Sequence, residues 1–220
     1  KSSVIVNKYC SGFFPSFQAI SYISLNKRLY NCFFEAKVGK INIANFAGVY
    51  EPAEDSWLIS HNLPGFKGTV LEIGCGSGII SIHLAKRGNI VTAIDINPKA
   101  VEATIFNAKK NNLSIETLEG NMFTPVQYRK FENIVCNPPY LPPSEKYKDP
   151  ELELAVEGGN KGIEFTKKLL SEAHKYLESA GSIYMIQSSK MGNFETKWKK
   201  EIIKETSFFF ERLYLVRFFS

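Results

Sequence analysis

The chain has 220 residues, 44% of them hydrophobic, so it is long enough for one substantial core and suggests no second domain of similar size. A net charge of +5 permits an acidic partner such as RNA but is too small to require one. No stretch approaches the roughly 18 uninterrupted apolar residues of a membrane-spanning helix, which favours a soluble protein. The four cysteines show no paired CxxC spacing, and free thiols in a reducing cytoplasm fit this pattern best.

Residues 1–46 are interpreted as an N-terminal extension. They are rich in aromatic residues and serine, carry no recognisable motif, and could contain a hairpin around Gly39. The apolar stretch SGFFPSFQAISYISL does not fit a signal peptide, because Pro15 and Gln18 interrupt it and it lacks a small-residue cleavage pattern. The role of this extension therefore stays open.

From residue 69 onward, apolar strand-like runs alternate with helical patterns, which is typical of a parallel sheet covered by helices. Glycine follows the first helical pattern, and proline stands where the second can begin. In chain order, the predicted elements are a strand at 69–74, a helix at 78–88, a strand at 89–95, a helix at 99–112 and strands at 114–120 and 131–136.

The C-terminal part of the chain predicts further helices and strands. A loop of about twenty residues follows residue 140, and a loop of that length inside a compact domain is usually functional or mobile. A helix is predicted at 162–180, a strand at 182–187 and a second helix at 193–205. Two final strands are predicted around a turn at Glu211 and Arg212, and so short a turn requires an antiparallel pair. The predicted class is α/β, with a mostly parallel, seven-stranded sheet, helices on both faces and an antiparallel C-terminal pair.

A glycine-rich turn follows the first predicted strand in the stretch LEIGCGSGIIS. Closely spaced glycines between a strand and a helix let a ligand approach the backbone. The dinucleotide fingerprint G-x-G-x-x-G would need glycine at position 79, where this chain has Ile79. The actual spacing is G-x-G-x-G, with Glu72 inside the preceding strand. This pattern favours a nucleoside-type cofactor that has no phosphate but has a charged amino-acid end.

Two further polar features follow the next two predicted strands. Asp95 ends the second strand, where a carboxylate can accept hydrogen bonds from both hydroxyls of a ribose, although Asp95 could also be a helix cap. Asn121 and Met122 follow the third strand and would approach an adenine ring. Together with the glycine turn, they predict a nucleoside-binding crevice at the carboxyl ends of the strands.

The stretch FENIVCNPPYLPP ends a predicted strand in Asn137, Pro138, Pro139 and Tyr140. Asn-Pro and Pro-Pro pairs are ordinary turn signals, so this could be a plain strand-ending turn. It also suits the orientation of a planar NH₂ group, which is a poor nucleophile because its lone pair is delocalised. The Asn137 oxygen and the Pro138 carbonyl can accept its two N–H bonds, and Tyr140 can lie flat against its planar group. Because proline fixes φ and has no N–H, nothing competes for those carbonyls.

The stretches LEIGCGSG, DINP and NPPY, in this order, resemble class I S-adenosylmethionine-dependent methyltransferases that act on a planar nitrogen. The stretches VYEPAEDSWL (49–58), NPPYLPP and AVEGGNKGIEF (155–165) are similar to HemK-like glutamine methyltransferases of translation release factors. VYEPAEDS is similar to their archaeal and eukaryotic branch. Ser56 stands where that branch commonly has threonine, and the tryptophan that commonly precedes the glycine pair is absent.

The resemblance implies a Rossmann-like methyltransferase domain over residues 47–220 and a catalytic motif made of Asn137, Pro138, Pro139 and Tyr140. Tyr50, Ser56 and Glu72 are expected near the amino-acid end of S-adenosylmethionine. The full set of expected cofactor-binding residues is Tyr50, Ser56, Glu72, Gly74, Cys75, Gly76, Gly78, Asp95, Ile96, Asn121, Met122 and Asn137.

The substrate implied by the resemblance is the glutamine of the Gly-Gly-Gln motif in a class-1 release factor. A small zinc-binding activator subunit is an implied partner, although the aromatic N-terminal segment could supply similar cover. The loop from Leu141 to Lys161 is expected to form one wall of the substrate mouth, with Glu157 or Asn160 touching the entering loop.

Other functions remain open at this point. NPPY serves adenine amines as well as glutamine, so an adenine-N6 methyltransferase acting on RNA or DNA is the alternative, although this chain leaves little room to read and flip bases. A non-catalytic nucleoside-binding subunit would have no reason to keep the NPPY residues. His61, His83 and His174 lack metal-ligand spacing and are interpreted as structural, so no metal is expected.

Overall fold

The computed structural model describes residues 40–141, 155–159, 161–208 and 211–220. The hairpin expected around Gly39, the rest of residues 1–39 and most of the long loop after Leu141 lie outside the described residues. None of the described helices is both long and apolar enough to cross a membrane.

Helices and strands alternate through the middle of the described chain. The helices are α1 (Glu54–Asn62), α2 (Ile79–Lys86), α3 (Pro98–Lys110) and α4 (Glu164–Ala173), with a short 3₁₀ turn at Thr124–Val126. The strands are β1 (Thr69–Ile73), β2 (Ile90–Asp95), β3 (Glu116–Glu119), β4 (Phe131–Cys136), β5 (Leu177–Ser188), β6 (Lys199–Phe208) and β7 (Glu211–Phe219).

The strands form one seven-stranded sheet in the order β3-β2-β1-β4-β5-β7-β6. β3, β2, β1, β4 and β5 are parallel, and β7 runs antiparallel to β5 and to β6. The order reverses between β1 and β4, so the connections from β1 and β4 leave on opposite sides and open a crevice at the carboxyl ends of these strands. The predicted mostly parallel sheet with an antiparallel final pair is confirmed.

The sheet is covered on both faces because its central strands are apolar on alternate sides. Val70 and Val135 pack with Ile59 of α1 and Leu84 of α2 in one cluster. Leu71 and Ile134 face the other way, in a cluster that contains Leu169 and Leu170 of α4. This period-two alternation is what a strand buried between two helical layers requires.

The predicted helix at 162–180 is wrong at its carboxyl end. α4 ends at Ala173, and β5 already begins at Leu177, which pairs with Phe131 of β4. The buried positions Leu169, Leu170, Ala173 and Leu177 fit a helical period, but Leu177 reaches the core from a strand instead. The irregular register between Phe131 and Asn133 accommodates the extra residues of β5.

The predicted helix at 193–205 is also wrong, because residues 199–208 form β6. The charged residues and the pair of isoleucines suggest a solvated helix, yet pairing with β7 decides the structure, since tertiary context overrides local propensity. β6 is an edge strand, and its lysines and glutamates are typical of protected edges. The turn expected at Glu211 and Arg212 is wrong, because both residues belong to β7.

Residues 40–46 run along α3 and are held by two asparagine side chains. Asn107 accepts a hydrogen bond from the Ala44 N–H at 2.8 Å and donates to the Ala44 carbonyl at 3.1 Å. Its amide also donates to the Ser77 carbonyl in the glycine turn at 2.9 Å. Asn111, one helical turn later, makes the same pair of bonds to the backbone of Asn42. This segment therefore contacts the methyltransferase-like core although it precedes the predicted boundary at residue 47.

Asn107→Ala should destabilise the protein more than Asn111→Ala. Asn107 is fully buried, so its loss leaves the buried Ser77 carbonyl and the partly buried backbone groups of Ala44 without their partner. We expect a loss of about 2 kcal/mol in the free energy of unfolding for Asn107→Ala and a smaller loss for the more exposed Asn111→Ala. Urea unfolding of both variants is the measurement, and equal losses would contradict this account of the segment.

Candidate active site

A cavity of about 320 Å³ opens at the carboxyl ends of β1, β2 and β4. It is lined by residues from the glycine turn, from the ends of these strands and from the segments at 48–56 and 155–157. Every site residue predicted from the sequence lines it except Gly78: Tyr50, Ser56, Glu72, Gly74, Cys75, Gly76, Asp95, Ile96, Asn121, Met122, Asn137, Pro138, Pro139 and Tyr140.

The glycine turn has a backbone that only glycine adopts without strain. Gly74 and Gly76 have φ values of 76° and 52°, and the space where a side chain would stand is open at both. Gly74 N–H donates to the Ile94 carbonyl at 2.8 Å, which holds the turn against β2. The turn therefore presents bare backbone to the cavity.

Gly78 lies outside the cavity and has a packing role. Its φ is 81°, and a Cβ there would lie 3.0–3.1 Å from atoms of Thr104 in α3. Gly78 precedes α2, so the absence of a side chain allows α2 and α3 to approach each other. Gly78 was expected to bind the cofactor, and its position outside the cavity does not support that expectation.

Glu72 is a fully buried carboxylate at the floor of the cavity. One oxygen accepts a hydrogen bond from Ser81, and the other, Oε1, has no partner. Burial raises its pKa to about 8, the Ser81 hydrogen bond opposes that shift, and the negative charge of Asp95 adds to it. With a pKa of about 8 the side chain keeps its proton at neutral pH, and a cationic ligand beside it would favour the charged carboxylate.

Asp95 supports the glycine turn as well as facing the cavity. Its Oδ2 accepts from the Gly76 N–H and its Oδ1 from the Asn97 N–H, both at 2.9 Å. The alternative reading of Asp95 as the helix cap is wrong, because Asn97 is the cap and accepts from the Lys99 N–H at 2.9 Å. Burial raises the pKa of Asp95, and the backbone N–H donors oppose that shift. Each oxygen retains a lone pair for a ligand hydroxyl.

The residues after β2 and β3 form the side wall of the cavity. Met122 is buried in a left-handed conformation with φ of 51°, while Asn121 beside it is exposed. Ile96 is 47% exposed although it lines the cavity. An apolar wall with one polar neighbour suits a flat heteroaromatic ring.

Asn137 lines the cavity and carries an unpaired hydrogen-bond acceptor. Its Oδ1 is buried and has no hydrogen-bond partner. Leaving such an atom unpaired costs free energy, commonly about 1–3 kcal/mol, which a ligand N–H would recover. Pro138 beside it is buried, and as a proline it has no N–H to occupy nearby acceptors.

The glycine pair after the long loop clasps the backbone of the NPPY motif. The Leu141 N–H donates to the Val156 carbonyl, and the Gly158 N–H donates to the Leu141 carbonyl, each at 2.9 Å. A side chain at Gly158 would collide with the Pro139 carbonyl, and one at Gly162 with the Tyr140 carbonyl. These glycines are needed for close approach of two backbones. Asn160, expected to touch a substrate, lies outside the described residues, whereas Glu157 lines the cavity.

Sequence reasoning missed several lining residues, among them Asp55. This side chain is 4% exposed and accepts hydrogen bonds from the hydroxyls of Tyr50 and Tyr140. It lies in the VYEPAEDS stretch, but an acidic residue in the first turn of a helix is ordinary, so no pattern sets it apart. Ser77, Asn97 and Phe165 also line the cavity and were not predicted.

The charge of the lining is one-sided. It contains the carboxylates of Asp55, Glu72, Asp95 and Glu157, and among the described lining residues there is no lysine, arginine or histidine. Such a cavity disfavours a phosphate group, which needs positive charge or free helix N–H groups, and favours a cation. The sequence-based exclusion of a dinucleotide therefore agrees with the charge of the site.

The histidines and cysteines do not form a metal site among the described residues. The rings of His61 and His83 contact each other with centroids 5.2 Å apart, behind α1 and α2. Cys75 and Cys136 are free and buried, as predicted, and burial raises the pKa of both thiols. Cys10 and Cys32 lie outside the described residues.

Comparison with known proteins identifies the family of this chain. The family model described as the methyltransferase small domain matches residues 41–208. The chain belongs to this family. Its Rossmann-like class I fold is that of a chain in the E. cuniculi Mtq2-Trm112 complex, described as methylating the translation termination factor eRF1. That chain has a TM-score of 0.61 and 21% identity, with 79% of this chain and 99% of that chain covered.

Two sequence relatives are more similar. One, from Methanocaldococcus jannaschii, is named "Putative protein N5-glutamine methyltransferase" and is 46% identical over 151 residues, covering 67% of this chain and 76% of the relative. The release factor glutamine methyltransferase of Aquifex aeolicus is 37% identical over 148 residues, covering 62% of this chain. This chain spans 50% of the length of the Aquifex enzyme.

Glu72→Gln should remove a pH dependence from the free energy of unfolding. The pKa of Glu72 in the folded protein, about 8, is above its ordinary value of 4.5, so folded protein binds this proton more tightly than the unfolded chain. The stabilising contribution is present below the ordinary value and is lost as pH rises through the folded-state pKa. Urea unfolding between those two pH values should therefore show the variant gaining stability relative to wild type as pH rises. Parallel profiles would contradict the buried, unpaired state of Glu72.

Proposed function

We propose that the protein transfers a methyl group from S-adenosylmethionine to the side-chain amide nitrogen of the Gly-Gly-Gln glutamine in a class-1 translation release factor. The observation that carries this proposal is the buried, unpaired Oδ1 of Asn137 at the cavity wall. An acceptor in this position, followed by prolines that carry no N–H, suits the N–H bonds of a planar amide.

The residues present fit S-adenosylmethionine. The cofactor is cationic at its ammonium and sulfonium groups, and the cavity offers carboxylates without a described basic side chain. Glu72 Oε1 would pair with the ammonium group, the Gly74–Gly76 backbone would lie against the amino-acid end, and Asp95 would accept from the ribose hydroxyls. Ile96 and Met122 would border the adenine. When bound, the cofactor supplies a methyl group on a positively charged sulfur, open to attack by a nucleophile.

The residues of the NPPY motif orient the substrate nitrogen. Asn137 Oδ1 accepts one N–H of the amide and the Pro138 carbonyl accepts the other, which turns the nitrogen lone pair toward the methyl group. These two acceptors also stabilise the positive charge that the nitrogen gains during transfer. Tyr140 borders the same part of the cavity and limits access of water to it.

The choice of glutamine over adenine has its support in the two sequence relatives reported above, whose names specify glutamine. NPPY itself suits either nitrogen, so adenine-N6 methylation of RNA or DNA is kept as the alternative.

The same proposal includes a partner protein. This partner is a small activator subunit, as in the Mtq2-Trm112 complex, and we expect it to bind zinc. Action on a translation factor would place the protein in the cytoplasm. A methyltransferase domain over 47–220, preceded by an extension, stays a prediction.

Asn137→Ala should separate cofactor binding from methyl transfer. The side-chain oxygen is directed at the substrate amide, so its removal should lower kcat by about a hundredfold or more, the usual effect of losing a positioned acceptor. Calorimetry should show a dissociation constant for S-adenosylmethionine close to that of wild type. Turnover near the wild-type rate would contradict the role of Asn137 in orienting the substrate. Loss of cofactor binding would show that Asn137 holds the cofactor, as the resemblance implies, and would leave its separate role toward the substrate unsupported.

The substrate is tested by incubating the full chain with S-adenosylmethionine and a class-1 release factor, with and without a small activator subunit. Mass spectrometry should show a single added methyl on the glutamine of the Gly-Gly-Gln loop. Replacing that glutamine by alanine in the factor should abolish the modification. If the factor stays unmodified in both conditions while adenine in RNA or DNA offered in parallel gains the methyl, then the alternative is correct.

A further inference from the structure

Asp55 connects two parts of the cavity wall that are distant in sequence. Its Oδ2 accepts a hydrogen bond from the Tyr50 hydroxyl and another from the Tyr140 hydroxyl, each at 3.2 Å. Tyr140 is 85 residues away and is the last residue of the NPPY motif, whereas Tyr50 lies on the segment that borders the glycine turn. One buried oxygen is therefore shared by the two tyrosines.

The orientation of this carboxylate is fixed by its own helix. Oδ1 accepts from the Ser56 N–H at 2.6 Å and from the Ser56 hydroxyl at 3.1 Å. Asp55 stands in the first turn of α1, where the helix dipole favours a negative charge. Since Oδ1 is held by the helix, Oδ2 keeps a fixed direction and can in turn hold the tyrosines.

The position of Tyr140 depends on this contact and on the backbone clasp described above. Gly158 and Gly162 limit the backbone of Pro139 and Tyr140, but they do not reach the ring. The phenol is the part of Tyr140 that Asp55 holds, and burial with the nearby Asp55 charge raises its pKa. The hydroxyl therefore stays protonated and keeps donating.

We propose that Asp55 is a positioning residue that fixes Tyr140 and Tyr50 relative to each other. Tyr50 lies on the proposed cofactor side of the cavity and Tyr140 on the proposed substrate side, so Asp55 would keep a constant distance between the two sides. Its effect on methyl transfer rests on the proposed function; its effect on Tyr140 does not. The competing account is that Asp55 only stabilises the start of α1. In that case the tyrosine hydroxyls would contribute to folding but not to turnover.

A double-mutant cycle with Asp55→Asn and Tyr140→Phe separates the two accounts. Asn keeps the shape but loses the charge, and Phe keeps the ring but loses the hydroxyl. If both act through one contact, each should lower kcat by about tenfold, and the double variant should also lose about tenfold instead of a hundredfold. The KM for the release factor should change by less than about threefold, since the transfer geometry is affected more than binding. Tyr184→Phe, which removes a core phenol outside the cavity, is the matched control and should keep the wild-type kcat.

A second measurement does not need activity. In protein with ¹³C-labelled tyrosine rings and no ligand, the Tyr140 resonance is assigned by its loss in Tyr140→Phe, and it should shift in Asp55→Asn but not in Tyr184→Phe. An unchanged resonance would overturn the contact. Two outcomes would overturn the positioning role even if the resonance shifts. One is a double variant whose loss in kcat is the product of the two single losses, and the other is a Tyr140→Phe variant with wild-type kcat. If wild-type protein leaves the release factor unmodified, the proposed function fails while the spectra still decide whether Asp55 holds Tyr140.

Discussion

The site depends on the parallel pairing of β1 with β2 on one side and β4 on the other. Ile73 is level with Ile94 and with Cys136 in the two registers. The residues that follow these positions leave the sheet at the same height, although they are far apart in the chain. In this way the glycine turn, the carboxyl group of Asp95 and the side chain of Asn137 come to one crevice. The reversal of strand order at β1 keeps that crevice free of a crossing helix.

This geometry has an electrostatic consequence. Polar residues at the strand ends enter a space with little water, so burial raises the pKa of both Glu72 and Asp95, and the negative charge of Asp95 raises the pKa of Glu72 further. A protein does not stabilise itself by burying an unpaired carboxylate. A cationic ligand would offset the free-energy cost of burying these acidic groups, whereas a phosphate ligand would increase that cost. The missing third glycine at Ile79 and the charge of the lining thus lead independently to the same class of cofactor.

The sequence predicts β1, β2 and β4 well because buried parallel strands appear as apolar runs, each followed here by a recognisable motif. It fails at β6, where charges and a pair of isoleucines imitate a solvated helix and only pairing with β7 fixes the strand. It gives no sign of α1, since buried positions of that helix include Asp55, Ser56 and Ser60 and leave no clear apolar stripe. The contact between Asp55 and Tyr140 could not be predicted, because it depends on the finished packing.

The motif resemblances also have different physical causes. NPPY and the glycine turn line the cavity, so a ligand bound there would constrain their residues. The glycines of AVEGGNKGIEF are constrained by the carbonyls of Pro139 and Tyr140, which leave no room for a side chain. These glycines hold the NPPY motif in place, and their contacts do not depend on which substrate binds. We therefore expect discrimination between a glutamine loop and a nucleobase to come from other lining side chains, such as Phe165, which lies outside the clasp.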